Sequence, residues 1–175
     1  MRNIWTNLFF FVFVLLLVLL LEGAFTSEPD APSEQFRKDG AAYGVRRIID
    51  GDTVVLYKGD KEVTARLIGI DTPETENAPG GPECYNEEAT TRAREMLEGV
   101  TVLFVQDPTQ GKRDEYDRLL GYMTLPDGTD FGARMIEGGY ANEYTFKGKE
   151  YERQSTYRQL AATAEAADIG LWGCE

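Results

Sequence analysis

The sequence predicts a mainly β domain of the α+β class, a five-stranded antiparallel barrel with three α-helices, and three observations carry that prediction. Short β-branched runs alternate with Gly- and Asp-bearing turn sequences. Separate segments repeat apolar residues at three- and four-residue spacing. Gly44, Gly51 and Gly69 stand where a small sheet would have to coil. A sheet of five short strands has exposed edges unless it closes on itself, which favours a barrel over an open α+β sandwich with the same elements.

The elements follow in order. Val45–Ile49, Thr53–Tyr57 and Val63–Ile70 are strand-like runs separated by Asp50-Gly51-Asp52 and Lys58-Gly59-Asp60-Lys61, which predicts a three-stranded meander. Asn86 is the expected cap of a helix with Ala89, Ala93, Met96 and Leu97 on one stripe and Gly99 at its end. Val100–Val105 and Arg118–Thr124 supply two more strands. Pro126-Asp127-Gly128 forms a turn, and Asp130 caps a short helix that stops at Gly138-Gly139. Lys149–Asp168 is the last helix, with Tyr157, Leu160, Ala161, Ala164 and Ala167 on its inner side.

The folded domain is expected over residues 43–175. It is preceded by a polar, proline-bearing spacer at 28–42 and by an export segment at 1–27. From Leu8 to Leu21 every residue is apolar, after Arg2 and before Gly23-Ala24-Phe25-Thr26-Ser27. That length lies between a secretory signal and a membrane span, so cleavage and an uncleaved membrane tether both stay open. Either places the domain outside the cytoplasm, secreted or membrane-anchored. Cys84 and Cys174 suit an oxidising compartment and are expected to form one disulfide, two free thiols being the other reading. One domain of ordinary size and no visible partner-binding tail make a monomer the default.

Composition restricts the chemistry. The 175 residues contain no histidine, which removes histidine-ligated zinc hydrolysis and every nucleophile–histidine relay. The net charge is −12, and residues 1–27 carry one charge of each sign, so the exported part keeps it. Such a surface repels polyanions, so a polynucleotide could be held only locally, by a bound cation and a few arginines.

Asp52 follows one strand's turn and Asp71 ends the strand running back, so a meander can bring the two carboxylates to one mouth of the barrel. Hard divalent cations take such oxygens, with carbonyls and water completing the shell. A plain hairpin turn is the bland reading of Asp50-Gly51-Asp52. An EF-hand loop is excluded, because Val55 and Lys61 occupy its glycine and glutamate positions. Arg66 interrupts an apolar strand and demands an anionic partner, either a phosphate gripped by the guanidinium fork or a neighbouring carboxylate. Arg118, heading another strand, is the natural second phosphate ligand.

These residues together resemble a known family. Asp50-Gly51-Asp52-Thr53, Arg66-Leu67, Asp71-Thr72-Pro73-Glu74-Thr75, Cys84-Tyr85-Asn86-Glu87-Glu88-Ala89, Asp114-Glu115-Tyr116-Asp117-Arg118-Leu119 and Gly170-Leu171-Trp172 stand in the order and spacing of a staphylococcal-nuclease-type (thermonuclease) domain. The resemblance runs from Tyr43 to Trp172. It implies an OB-fold barrel and a Ca2+-dependent phosphodiesterase acting on DNA and RNA with little base preference. It further implies that Asp52 and Asp71 ligate calcium, with the Thr72 carbonyl, and that Asp50 stands behind them. Glu74 would position and deprotonate the attacking water, while Arg66 and Arg118 clamp the phosphate. Tyr116 and Tyr144 are weaker candidates for nucleotide contact. Glu115 and Asp117 depart from the pattern, standing where the best-known member has a basic residue and a glycine.

Two other functions remain in view on the sequence. A catalytically silent OB-fold module would bind single strands or a protein partner, but it would be expected to lack a carboxylate or arginine of the set. A calcium-holding structural domain would leave Arg66, Arg118 and Glu74 without a purpose.

Overall fold

The structure is a computed structural model that describes residues 40–75 and 79–174. The expected export segment at 1–27 and the spacer as far as residue 39 lie outside the described residues. Among the described residues no helix is long and apolar enough to cross a membrane.

Strands β1 (Ala41–Ile48), β2 (Thr53–Lys58), β3 (Lys61–Leu67), β5 (Thr101–Val105) and β6 (Leu119–Thr124) form a closed barrel in the order β1-β2-β3-β6-β5. Each strand therefore has two neighbours and no edge is left for another chain to pair with. Four ladders are antiparallel and the fifth, β3 with β6, is parallel. The all-antiparallel expectation is corrected at that one seam. The chain covers the α-helical crossover between β3 and β5, and β6 then returns beside β3 in the same direction. Ala41 and Ala42, assigned from sequence to the spacer, are paired with Phe104 and Leu103 of β5, because closure gives even the first residues of β1 a partner.

The run expected as one strand, Val63–Ile70, is broken at Ile68. Gly69 adopts φ +82°, a left-handed conformation that costs glycine least, and a Cβ there would lie 2.5 Å from the Tyr151 ring. Past this break, β4 (Gly69–Asp71) leaves the barrel and pairs with β7 (Asn142–Tyr144) in a separate two-stranded sheet. Strand β7 had no legible sequence signal, since a three-residue strand carries too little alternation to detect.

Helix α1 (Asn86–Leu97) buries Ala89, Thr90, Ala93 and Leu97. Its cap position is Tyr85, at φ 71°, rather than Asn86; the Asn86 side chain turns back to donate to the Glu83 carbonyl at 2.5 Å. Helix α2 (Phe131–Glu137) is capped by Asp130 as expected, the carboxylate accepting from the Ala133 N–H at 3.2 Å. Helix α3 (Gln154–Ala166) begins five residues later than the periodicity suggested, because Phe146–Gly148 forms a 3-10 turn and the chain to Arg153 is spent reaching the barrel. Tyr157, Ala161 and Ala164 face inward as expected; Leu160 is half-buried and Ala167 exposed.

The core runs through the barrel and under α1 and α2, with Val54, Leu56, Ile70, Val102, Leu97, Phe131, Met135 and Ile136 almost fully buried. Two carboxylates tie the helices to it. Asp130 accepts from Tyr157 Oη at 2.9 Å and from Arg153 at 2.7 Å, joining the start of α2 to α3. Asp107 accepts from Tyr122 Oη, from the Thr109 hydroxyl at 2.6 Å and from the Glu152 N–H at 2.9 Å. The disulfide Cys84–Cys174 is formed, with a Cα–Cα distance of 6.2 Å, and links the approach to α1 with the C-terminal turn Gly170–Gly173.

Candidate active site

Local folding places the first carboxylate. Asp50 Oδ1 accepts from the N–H groups of Asp52 at 3.0 Å and Thr53 at 2.7 Å, making the tight turn into β2. Because β2 and β3 are in register with Thr53 opposite Arg66, the turn sets Asp52 beside Arg66, and the Asp52 carbonyl accepts from Leu67 N–H at 2.9 Å. Gly51 lets Thr72 pack against this turn; a Cβ would lie 2.6 Å from Thr72 Cγ2. Thr72 in turn donates its N–H to Asp52 Oδ2 at 2.9 Å.

Asp52 is buried, and its carboxylate is held on all sides. Oδ1 receives the Thr53 hydroxyl at 2.9 Å and faces Arg66 Nε at 3.1 Å, and Oδ2 receives Thr72. Arg66 continues the chain of contacts. Its Nη1 donates to the carbonyls of Leu67 at 3.1 Å and Ile70 at 2.7 Å, and its Nη2 to Asp71 Oδ1 at 2.7 Å. One guanidinium thus holds both carboxylates expected to bind metal. The carboxylate partner, one of the two alternatives left open for Arg66 from sequence, is the contact present. Of its five N–H groups one on Nη2 has no partner among the described residues.

Arg118 arrives from the other side, at the head of β6. Its Nε donates to Asp114 Oδ2 at 2.7 Å and its backbone N–H to Asp114 Oδ1 at 2.9 Å. No described residue accepts from its Nη groups, which leaves the outer edge of the fork for an anion. Asp117, standing in the family's glycine position, has φ +62°, a left-handed conformation that aspartate tolerates better than most residues. Its departure from the pattern therefore leaves Arg118 in register.

Arg66, Asp71, Glu74, Tyr116, Arg118 and Tyr144 all line one cleft of about 440 Å3. Six residues expected from sequence as separate candidates share one wall-to-wall space. Asp52, Thr72 and Asp50 sit behind it. Tyr116 is 73% exposed, and Tyr144 lies 6.4 Å from Phe146, ring centre to ring centre, so aromatic side chains share the cleft with the two arginines.

Electrostatics single out the same place. Burial pushes the Asp52 carboxyl up, and the Asp50 charge adds to this, against the opposing pull of Arg66. Burial likewise raises Asp71, against Arg66, with Glu83 adding. Glu74 is raised by burial and then by Asp50, Asp71 and Glu83. Five acids thus crowd one arginine, a surplus of negative charge that a hard divalent cation would offset. The donor set fits such an ion with Asp52 and Asp71 as its carboxylates. Among the described residues no group of three acidic side chains is already arranged to hold a metal, so carbonyl and water oxygens would complete the shell.

Several site residues escaped the sequence reading. Asp114 positions Arg118, and the four-residue spacing between them was a usable signal. Glu83 accepts from Glu74 N–H at 2.9 Å and returns its own N–H to the Glu74 carbonyl at 2.9 Å. Nothing in the sequence marks that pair, because the chain must first reverse direction between them.

Comparison with known proteins follows the geometry. Residues 64–174 match the model of the family described as staphylococcal nuclease homologue. The chain is 30% identical over 174 residues to a thermonuclease of Staphylococcus hyicus, covering 98% of this chain and 99% of that one. It is 31% identical over 151 residues to a thermonuclease of Staphylococcus intermedius, covering 82% and 84%. An uncharacterized endonuclease of Escherichia coli O157:H7 is 30% identical over 128 residues, covering 73% and 74%.

Proposed function

Since this chain belongs to the staphylococcal nuclease family and is a phosphodiesterase acting on nucleic acid, we propose that it is an extracytoplasmic, calcium-dependent nuclease that hydrolyses both DNA and RNA with little sequence preference. The observation that carries the residue assignment is the convergence of Arg66, Glu74 and Arg118 with Asp71 on one cleft.

In this reading Arg118 grips a non-bridging phosphate oxygen with its free Nη edge while Asp114 holds its Nε. Arg66 approaches the same phosphate with Nη2. Asp71 is half exposed, and with its carboxylate shared with a cation the Nη2 group of Arg66 would be freer to meet the phosphate. Glu74, its backbone fixed by Glu83, aims an exposed carboxylate at the attacking water and accepts the proton. A calcium ion on Asp52, Asp71 and the Thr72 carbonyl would polarise the phosphate and offset charge that grows in the transition state. Tyr116 and Tyr144 offer stacking faces, which distinguish bases poorly and suit low sequence preference.

Export rests on the apolar run Leu8–Leu21, as a cleaved signal or a tether, and is supported by the disulfide Cys84–Cys174. A monomer is sufficient, because a single chain supplies every residue assigned. The deciding experiment is digestion of denatured DNA and of RNA by the residue 28–175 fragment with calcium, with magnesium and with chelator. Cleavage of both polymers that needs calcium and disappears in Asp71→Asn supports the reading. A folded fragment that binds calcium and cleaves neither polymer overturns it.

A further inference from the structure

We propose that the barrel carries a second polynucleotide-binding groove at the β2–β3 hairpin, continuous with the catalytic cleft, which holds the single strand flanking the scissile phosphate. The proposal rests on the nuclease reading above and extends the same path. This groove of about 680 Å3 is lined by Tyr43, Lys58, Lys61, Arg113, Tyr116 and Arg118. Tyr116 and Arg118 line the catalytic cleft as well, so a strand leaving the phosphate position passes directly from one groove to the other.

Its charge runs against that of the molecule. The protein as a whole carries −12, yet four cationic side chains line this groove; Arg113 is paired with Asp117 and Arg118 with Asp114, which leaves Lys58 and Lys61 as its unpaired charges among the described residues. The two acids that share it are already engaged: Glu62 pairs with Arg46 at 2.9 Å and Asp117 with Arg113 at 3.3 Å. Lys58 and Lys61 form no ion pair among the described residues, and Lys58 Nζ stands 5.7 Å from the centre of the Tyr43 ring. Two lysines without an ion pair beside a nuclease cleft suit the phosphates of the substrate strand. Tyr116, which lines both grooves, has the Arg118 guanidinium over one ring face at 5.4 Å and is otherwise exposed, so an unpaired base can stack on the other face, which favours a single strand over a duplex.

Lys58→Gln/Lys61→Gln tests this without touching the residues assigned to chemistry. For an oligothymidylate of about twelve nucleotides, kcat/KM should fall roughly tenfold with kcat retained. Its salt dependence should become shallower by a slope of about 1.4 in log–log form, the value for two phosphate contacts on a single strand. Cleavage of a dinucleotide, too short to reach the hairpin, should be unchanged. Equal losses on both lengths, or no loss on either, would overturn the groove; an equal loss of affinity for duplex DNA would overturn the single-strand assignment. If the wild-type protein cleaves neither substrate, the nuclease reading fails by itself. Fluorescence anisotropy of the labelled oligothymidylate in chelator then still decides the groove: wild type must bind it more tightly than the variant.

Discussion

Arg66 Nε lies 3.1 Å from the buried Oδ1 of Asp52, and this contact joins the end of β3 to the turn before β2 at the base of the cleft. The pair is structural, and it fixes the arginine that the proposed function places on the phosphate. A carboxylate this deep is tolerated because a guanidinium and three protein hydrogen bonds surround it.

Arg66→Ala should therefore lower stability as well as rate. Removing one partner of a buried pair leaves Asp52 without its cation, at a cost of about 3 kcal/mol, read as a lower urea midpoint. Activity should fall by roughly three orders of magnitude. Arg66→Lys should recover part of the stability and little of the rate, since a point charge cannot reproduce the fork. Full activity in Arg66→Lys would show that the planar arrangement of its donors is not needed.

Glu74→Gln should separate chemistry from folding. The loop is framed by the backbone groups of Glu74 with Glu83, not by the Glu74 carboxylate. Stability should stay within about 0.5 kcal/mol of wild type. The rate should fall by roughly 10^2 to 10^4, measured with substrate in excess over the enzyme's KM. An equally large loss of stability would mean that the carboxylate shapes the loop instead.

Acid sensitivity should trace in part to Asp107. Burial would raise its carboxyl, but hydrogen bonds from the Thr109 and Tyr122 hydroxyls and from the Glu152 and Thr109 N–H groups together hold it below the usual range. A folded-state pKa below the unfolded one gives stability that is present above about pH 4 and lost as pH falls through the depressed value. Asp107→Asn should be less stable at neutral pH and should show a flatter loss on the acid side, followed by urea unfolding at a series of pH values. A parallel pH profile in the two proteins would show that Asp107 does not contribute.

The disulfide should support the site as well as the fold. Cys84 adjoins Glu83, whose side chain and backbone both hold Glu74. Cys84→Ser/Cys174→Ser opens a loop with a sequence separation of 90 residues and should cost about 2 to 5 kcal/mol. Assayed well below its new unfolding midpoint, the variant should also turn over several-fold more slowly. Unchanged turnover would confine the bridge to stability.

The sequence by itself determined the family and with it the class of activity, a nuclease. Asp52, Asp71 and Arg66 stood out as charges within apolar strand runs or at the turns between them, where each needs a reason to be, whereas Glu74 and the role of Arg118 came from the family resemblance. The strand runs and the Asp130 cap were legible for a similar reason: alternation and capping are local, and both survive in the structure. Only the tertiary structure decided the parallel β3–β6 seam, the short β4–β7 sheet and the backbone frame from Glu83 to Glu74. The first two join residues far apart in the chain and the third bridges a separation of nine residues, and no local pattern encodes contacts of those kinds. The β2–β3 register and the turn into β4 likewise made Arg66, a candidate phosphate ligand, also the strut between Asp52 and Asp71, since a guanidinium's partners are set by which carboxylates the fold delivers to it.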